Sequence, residues 1–233
     1  DKNVYTGLCE LVTQMKQSTW QRSDIDFERD VRDLRKLDIR EKNILFMMCS
    51  FFLTIDSVVI DSLNNSLLKD LKILSVHNSQ FKKALEFYSE QNQQEEVHDE
   101  FYKDMGKAFF SESYGILLNC HENFYEFKKV FDYCERYQDR SLPLGERLLV
   151  YAFIECIVFF PFFAWITRYR YMGHIPATVE GNNWVRVEEG MHVSRHSYVY
   201  KIIGGVSKPR AEEICSELVD CVKNMWETRI LSD

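Results

Sequence analysis

Two short segments of the chain pair a glutamate with a histidine three residues later, as Glu95-x-x-His98 and Glu189-x-x-His192. Residues three apart on an α-helix lie on the same face, close enough to bind one ion. A carboxylate and an imidazole together suit Fe, Mn or Zn better than Mg or Ca. A single such pair is common on solvated helix surfaces, but two pairs in separate helical segments indicate a metal site.

Each segment also contains a second glutamate that competes for the same role. Glu96 is two residues from His98, so on a helix its side chain points away from that histidine. Glu188 is four residues from His192, a spacing that also places both on one face. The spacing therefore excludes Glu96 and leaves Glu188 open as an alternative to Glu189.

Two further segments place an acidic residue inside an apolar run. Asp56 lies in FFLTIDSVVI and Glu155 lies in AFIECIVFF. A carboxylate among apolar side chains is costly to bury unless it has a partner. Asp56 also has a simpler explanation as a polar residue at a helix edge, and nearby Asp61 competes with it.

The two acids and the two Glu-x-x-His pairs together match a known kind of metal bundle. In carboxylate-bridged two-metal proteins, two helices each supply one acid and two others each supply Glu-x-x-His. Four buried carboxylates would repel one another unless two divalent cations balanced their charge. The sequence therefore predicts a dinuclear metal site with these ligands: Asp56, Glu95, His98, Glu155, Glu189 and His192.

The elements that must position these residues are predicted to be long helices. The chain of 233 residues has only nine glycines and four prolines, and no strand hairpin signal stands out. Asp38 followed by Glu41 forms a capping-box pattern at the start of one helix. We expect an all-α bundle in a single domain, residues 1–233, with helices over about 39–70, 80–110, 111–137, 144–170, 181–203 and 209–230.

Composition excludes several classes of function. The net charge of −7 and the lack of a long basic run give no electrostatic reason to expect nucleic-acid binding. The run Leu148–Ile166 is long enough to span a membrane, but Glu155 and Pro161 within it favour a buried helix. Seven cysteines without a CxxC motif indicate reduced thiols. With no signal peptide at the given N-terminus, we expect a cytoplasmic protein without a membrane partner.

The chain resembles the small subunit of class I ribonucleotide reductase, over nearly its whole length. The spacings of 36 residues from Trp20 to Asp56 and 34 from Glu155 to Glu189 are similar to those of the family. This resemblance implies a ferritin-like fold, a homodimer and a di-iron centre, with Mn/Fe or Mn also possible. The resemblance to the family rests on these residues and motifs: Trp20, Asp56, Glu95-x-x-His98-x-x-x-Tyr102, Glu155-x-x-x-Phe159-x-x-x-Phe163 and Glu188-Glu189-Gly-x-His192.

The resemblance also implies roles for residues outside the ligand set. Tyr102 would be the tyrosine oxidised to a stable radical, and Phe159 and Phe163 would line its dry pocket. Core packing alone would explain these two phenylalanines equally well. Trp20 and Glu188 would form an electron-transfer relay to the metals through His98.

The implied function is that of the radical-generating subunit of ribonucleoside-diphosphate reductase. Its di-metal centre would activate O2 to generate a tyrosyl radical, which a large subunit would use to reduce ribonucleotides to deoxyribonucleotides. The main alternative is a stand-alone ferritin-like di-metal oxidase acting on its own ligand. An iron-storage protein and a metal-free structural bundle are two further alternatives.

Three features depart from the family pattern. Glu188 stands where the family commonly has Asp, which adds one methylene to the relay. The interval from Asp56 to Glu95 is longer than usual by about two helical turns, which suggests an insertion around residues 70–79. The sequence ends about 40 residues after His192, so the C-terminal tail that docks on the large subunit is expected to be absent from it.

Overall fold

The computed structural model describes residues 2–17 and 20–232. These residues form α-helices and short helical turns, and no β-strand occurs among them. The α-helices are α1 (Lys2–Gln17), α2 (Glu28–Leu34), α3 (Ile39–Ser62), α4 (Leu68–Ser75), α5 (Ser79–Phe110), α6 (Tyr114–Asn123), α7 (Tyr125–Arg136), α8 (Leu144–Phe153), α9 (Phe160–Met172), α10 (Pro176–Ile203) and α11 (Lys208–Met225).

The predicted bundle is confirmed, and its helix boundaries differ in a few places. The first long helix continues past residue 70, because a π-helical turn at Leu63–Leu67 joins α3 to α4. The stretch 70–79 therefore contains the end of α4, a turn and the first residue of α5. The helix predicted over 111–137 is interrupted at Phe124, whose extended backbone separates α6 from α7.

Helix α10 begins at Pro176, five residues earlier than the sequence pattern predicts. Proline is well suited to a first turn, where its missing N–H is not needed. The next two backbone N–H groups of α10 donate to a residue that is distant in sequence, Asp30. The Asp30 carboxylate accepts from the Ala177 and Thr178 amides at 3.1 and 2.6 Å. No local sequence pattern could reveal that cap.

The capping box at Asp38 is only half formed. The Asp38 side chain accepts from the Glu41 amide at 2.8 Å, as predicted. The Glu41 carboxylate does not return to Asp38, because it accepts from Arg168 and Tyr169 on α9. Glu41 therefore ties the start of α3 to α9 instead of closing the box.

The core lies between α3, α5, α8, α9 and α10, and it is rich in aromatic rings. A close approach between α5 and α10 depends on Gly181, since a Cβ there would lie 2.4 Å from the Phe101 ring. That approach brings together the two helices that carry the Glu-x-x-His pairs.

Two helical stretches are long and apolar enough to cross a membrane, and one of them contains the run Leu148–Ile166. They cover Ile39–Ser75 and Leu144–Met172, and the apolar windows are 61% and 50% buried inside the protein. Core helices of a bundle pass the same test of length and composition. Both stretches contribute buried side chains to the core.

Six of the seven cysteines are described, and each is a free thiol. Cys49 and Cys134 are buried, as expected for residues within apolar patterns. Cys156 is exposed, although it also lies in an apolar run. It belongs to a surface of the 154–158 turn that faces away from Glu155, which is buried.

Candidate metal centre

The predicted metal ligands come from four separate elements and are all buried. Each has at most 2% of its surface exposed. Helix α3 supplies Asp56, α5 supplies Glu95 and His98, the π-helical turn Ile154–Val158 supplies Glu155, and α10 supplies Glu189 and His192.

Four of these side chains form one compact cluster. Glu95, Glu155, Glu189 and His192 each offer a donor atom, and these atoms all lie within 4.8 Å of one another. The Nδ1 atom of His192 is 3.0 Å from Glu189 Oε2 and 3.3 Å from Glu95 Oε1. Carboxylate oxygens and an imidazole nitrogen at such spacing form a site suited to Fe, Mn or Zn.

His98 joins the cluster from the other Glu-x-x-His pair. Its Nδ1 atom lies 3.1 Å from Glu189 Oε1 and 3.2 Å from Glu95 Oε2. Both histidines therefore direct Nδ1 to the same two glutamates. Glu95 and Glu189 thus each contact both imidazoles, and the four side chains would be able to hold metal ions together.

Asp56 lies outside the compact group but acts on it electrostatically. Burial, followed by the charges of Glu95 and Glu189, raises the pKa of Asp56 well above its usual value. Its Oδ2 atom is buried without a hydrogen-bond partner in the described part of the chain. The competing Asp61 is exposed, so burial distinguishes the two acids.

The cluster is electrostatically incomplete with protein atoms alone. Burial and the charges of Glu189 and Glu95 raise the pKa of Glu155 well above its usual value. Burial also opposes ionisation of Glu95, but hydrogen bonds from His192 and His98 hold its pKa below the usual range. Crowded carboxylates of this kind need protons or cations, and the donor set fits a pair of divalent cations.

Two glutamines that the sequence motifs did not indicate, Gln91 and Gln94, contact the cluster. Gln91 Nε2 donates to Glu155 Oε1 at 2.5 Å and to Glu95 Oε1 at 3.0 Å. Gln94 Oε1 accepts from His192 Nε2 at 2.9 Å. A signal existed for Gln91, which lies one helical turn before Glu95 on the same face.

A third histidine was also missed. His196 lies one helical turn after His192, is 1% exposed, and has its Nε2 atom 3.0 Å from Glu155 Oε2. Burial and the neighbouring His192 lower the pKa of His196, which favours the neutral form of its imidazole. The four-residue spacing from His192, which places both histidines on one face of α10, could have indicated His196 from the sequence.

Glu188 is buried but lies on the far side of His98 from the cluster. Its Oε2 atom is 2.8 Å from His98 Nε2 and accepts from Trp20 Nε1 at 3.0 Å. Its Oε1 atom accepts from Gln94 Nε2 at 3.0 Å. Glu189, not Glu188, therefore faces the other acids, and Glu96 is exposed as its spacing predicts.

Tyr102 occupies an apolar pocket on another side of the centre. It is fully buried, and its hydroxyl has no hydrogen-bond partner among the described residues. Phe52 stacks on it, with ring planes 1° apart and centroids 4.0 Å apart. Phe159 and Phe163 pack against Phe52 at centroid distances of 5.8 and 5.9 Å. The ring directly stacked on Tyr102 is thus Phe52, which precedes Asp56 by one helical turn.

Burial, followed by the charge of Asp56, raises the pKa of Tyr102 well above its usual value. The phenol therefore keeps its proton at neutral pH. A protonated tyrosine without a hydrogen-bond partner, beside a carboxylate cluster, is an unusual combination in a protein core.

Known proteins are similar to this chain in sequence or in fold. The small chain of ribonucleoside-diphosphate reductase from Vaccinia virus (strain Ankara) is 25% identical over 220 residues, which cover 94% of this chain and 66% of the relative. The chain thus spans just under two thirds of that relative. The Saccharomyces cerevisiae ribonucleotide reductase Rnr4 homodimer matches with a TM-score of 0.77 at 20% identity, over 97% of this chain and 71% of that one.

A mutant form of an R2-like ligand-binding oxidase, solved with an anaerobically reconstituted Mn/Fe cofactor, matches with a TM-score of 0.78 at 17% identity. The match covers 94% of this chain and 78% of that one. At such identities these structural matches establish a shared fold. The family described as "Ribonucleotide reductase, small chain" matches residues 3–230. Since that match covers almost the entire sequence, the chain belongs to the ribonucleotide reductase small-chain family.

Proposed function

We propose that this chain is the radical-generating small subunit of a ribonucleoside-diphosphate reductase. The observation that carries the proposal is the position of Tyr102, whose unpartnered hydroxyl lies in a dry aromatic pocket beside the carboxylate and histidine cluster. Family membership supports the same activity.

In this proposal the six buried side chains hold two metal ions. The ligands are Asp56, Glu95, His98, Glu155, Glu189 and His192, and iron is the proposed metal, with Mn/Fe or Mn as the other possibilities. When bound, the metal pair would supply the reduction of O2 and the one-electron oxidation of Tyr102. The chain's own contribution is to fix the ligands, exclude water and hold the tyrosine.

Tyr102 would store the oxidising equivalent. Oxidation would remove one electron and the Oη proton, and the two rings packed on Tyr102, those of Phe52 and Phe101, carry no O–H or N–H group to return a hydrogen atom. The buried Cys49 thiol is directed at the Tyr102 backbone carbonyl, 3.8 Å away. Phe52 stacks on the ring of Tyr102, and Phe159 and Phe163 pack against Phe52. A pocket of aromatic carbon therefore protects the radical from reduction.

Trp20, Glu188 and His98 would carry the electron between the centre and the surface. Glu188 accepts hydrogen bonds from both neighbours through one oxygen, so the three residues form a continuous chain. Trp20 is half-buried and lines a surface cavity of about 230 Å³ with Glu188 and Gln94. The longer Glu188 side chain, compared with Asp, still reaches both partners.

The proposal includes partners and a setting. A catalytic large subunit would receive the oxidising equivalent and perform the nucleotide chemistry. We also propose that residues 1–233 form a single domain, that the subunit is a homodimer, and that it acts in the cytoplasm. The match to the solved ribonucleotide reductase Rnr4 homodimer supports the dimer.

A ligand-binding oxidase is the second candidate, since its fold is equally similar. The hydrogen-bonded series from Trp20 through Glu188 to His98 favours the reductase, because an oxidase that acts on its own ligand has no need of a path to a partner subunit.

The test is aerobic loading of the metal-free protein with Fe(II), followed by metal analysis and electron paramagnetic resonance. We expect two iron ions per chain and a tyrosyl radical that Tyr102→Phe abolishes without loss of iron. Bound iron without a radical would contradict the proposal and favour the oxidase or a manganese centre. A radical that persists in Tyr102→Phe would move the assignment to another tyrosine.

A further inference from the structure

A buried series of three polar side chains lies beside the centre, and two of the three have no part in the proposed function. Tyr88 on α5, His196 on α10 and Glu155 on the π-helical turn are each at most 2% exposed. Only Glu155 belongs to the proposed ligand set, so the other two need an explanation.

The atoms of this series are within hydrogen-bond distance. Tyr88 Oη lies 2.7 Å from His196 Nδ1, and His196 Nε2 lies 3.0 Å from Glu155 Oε2. The imidazole is held between aromatic rings, with centroids 5.2 Å from Tyr151, 5.3 Å from Tyr88 and 5.9 Å from Phe87. Its two nitrogens are therefore fixed in opposite directions, one to a phenol and one to a carboxylate.

The phenol determines which imidazole nitrogen carries the proton. Burial raises the pKa of Tyr88, so its O–H is retained and can donate to Nδ1. A neutral imidazole that accepts at Nδ1 carries its hydrogen on Nε2. That N–H is the one that faces Glu155.

The last contact is at the right distance but poorly aligned. His196 Nε2 and Glu155 Oε2 each lack a hydrogen-bond partner among the described residues, although they are 3.0 Å apart. Leaving two buried polar atoms unsatisfied is unfavourable, and a rotation of the carboxylate would satisfy both.

The two oxygens of Glu155 face different surroundings. Oε1 accepts from Gln91 Nε2 at 2.5 Å and lies 3.8 Å from His192 Nδ1, which places it on the side of the cluster. Oε2 faces His196. A group that binds Oε2 would therefore leave Oε1 directed at the cluster.

We propose that His196 is a positioning residue for Glu155: its Nε2–H donates to Oε2, Tyr88 fixes the tautomer, and Oε1 is presented to a metal ion. The inference rests on the metal centre of the proposed function. Glu155 needs such a support because it lies on a π-helical turn, which alters the direction of side chains relative to an α-helix.

The first test measures metal binding, not turnover. His196→Leu removes the donor and keeps an apolar side chain, His196→Gln keeps an N–H donor, and Val199→Ala is a control for lost packing on α10, since Val199 is fully buried. In titrations with Mn(II), we expect His196→Leu to weaken one of the two bound ions about 10- to 100-fold. We expect His196→Gln to restore most of that affinity and Val199→Ala to retain it.

The second test uses the metal-free wild-type protein and needs no variant to fold. Nitrogen-15 NMR of the histidine side chains reports which ring nitrogen carries the proton. We expect His196 to show the Nε2–H form, and Tyr88→Phe to disturb its Nδ1 signal. An Nδ1–H form, or wild-type Mn(II) affinity in His196→Leu, would overturn the inference.

These outcomes separate the inference from the function on which it rests. A wild-type chain that binds no metal removes the centre and the proposed function together. One that binds two ions but gives no radical contradicts only the function. One in which His196→Leu binds both ions like the wild type contradicts only the inference.

Discussion

The two flanks of the centre, one around Tyr102 and one around Trp20, differ in whether their polar atoms have hydrogen-bond partners. On the flank of Tyr102, the hydroxyl has no partner among the described residues and aromatic rings surround it. On the flank of Trp20, the indole N–H, both Glu188 oxygens and His98 Nε2 all have partners. The first flank is a dry pocket and the second is a connected path.

In the proposed function, this contrast would correspond to two roles, storage of the radical on one side and electron transfer on the other. In that function a radical on Tyr102 would be protected because its hydroxyl has no hydrogen-bond partner among the described residues and aromatic rings pack on it. Electron transfer would instead use the hydrogen bonds that connect Trp20, Glu188 and His98. Helix α5 contributes one residue to each environment about one helical turn from His98, Tyr102 to the aromatic pocket and Gln94, which donates to Glu188, to the hydrogen-bonded series.

The largest effect is expected from a substitution that removes the metal centre between the flanks. Glu155→Ala should prevent binding of the full metal pair, because a ligand is lost from a cluster that has few other donors. Metal content after loading with Fe(II) measures this. Glu96→Ala, an exposed glutamate of the same motif region, is the control and should bind two ions. Full occupancy in Glu155→Ala would remove this residue from the site.

The next change affects only the dry flank. Tyr102→Phe should abolish the radical signal while the folded protein remains at least as stable, because the lost hydroxyl makes no hydrogen bond to the described residues. Tyr151→Phe is the matched control, since its hydroxyl donates to the Val59 carbonyl at 2.8 Å. Chemical denaturation should show that Tyr151→Phe costs about 1 kcal/mol. Equal losses in both variants would mean that the Tyr102 hydroxyl is hydrogen-bonded.

A third change tests the pocket wall. Phe52→Ala should lower the free energy of unfolding by about 3–5 kcal/mol, the usual cost of truncating a buried phenylalanine. It should also shorten the lifetime of the radical, followed by paramagnetic resonance over time. Phe160→Ala, at a side chain that is 63% exposed, should change stability by less than about 0.5 kcal/mol. An unchanged radical lifetime in Phe52→Ala would show that this ring does not protect Tyr102.

The smallest effect on metal content and radical yield is expected on the flank of Trp20. Trp20→Phe removes the donor to Glu188 from a half-buried position, so metal content and radical yield should remain near those of the wild type. Turnover with the large subunit should fall, because the path then lacks its outer member. A Trp20→Phe variant with full turnover would exclude Trp20 from the path.

Much of the fold and of the site could be predicted from sequence because both depend on local spacing. The three-residue spacing in each Glu-x-x-His pair places both side chains on one face, and His98 and His192 do direct Nδ1 at the same glutamates. The low content of glycine and proline anticipated long helices. Asp56 and Glu155 stood out because they interrupt apolar runs, and both are buried.

What sequence missed are contacts that depend on how the helices meet. Phe52 looked like one more core phenylalanine, and only the packing of α3 on α5 brings its ring to 4.0 Å from Tyr102. Glu41 matched a capping box, yet α9 offered its carboxylate stronger partners. Gln94 became a bridge between Glu188 and His192 because two residues of α10 face it.

The sequence by itself therefore determined the helices, the two Glu-x-x-His pairs and Glu155 as an acid within an apolar run, whereas burial in the structure was needed to choose Asp56 over Asp61. Periodicity is a property of the backbone and can be read from residue spacing. The tertiary structure alone decided between Glu188 and Glu189, since spacing allowed both. Contacts with Trp20 and His98 direct Glu188 to the path, while Glu189 faces the other acids, because those neighbours come from distant parts of the chain.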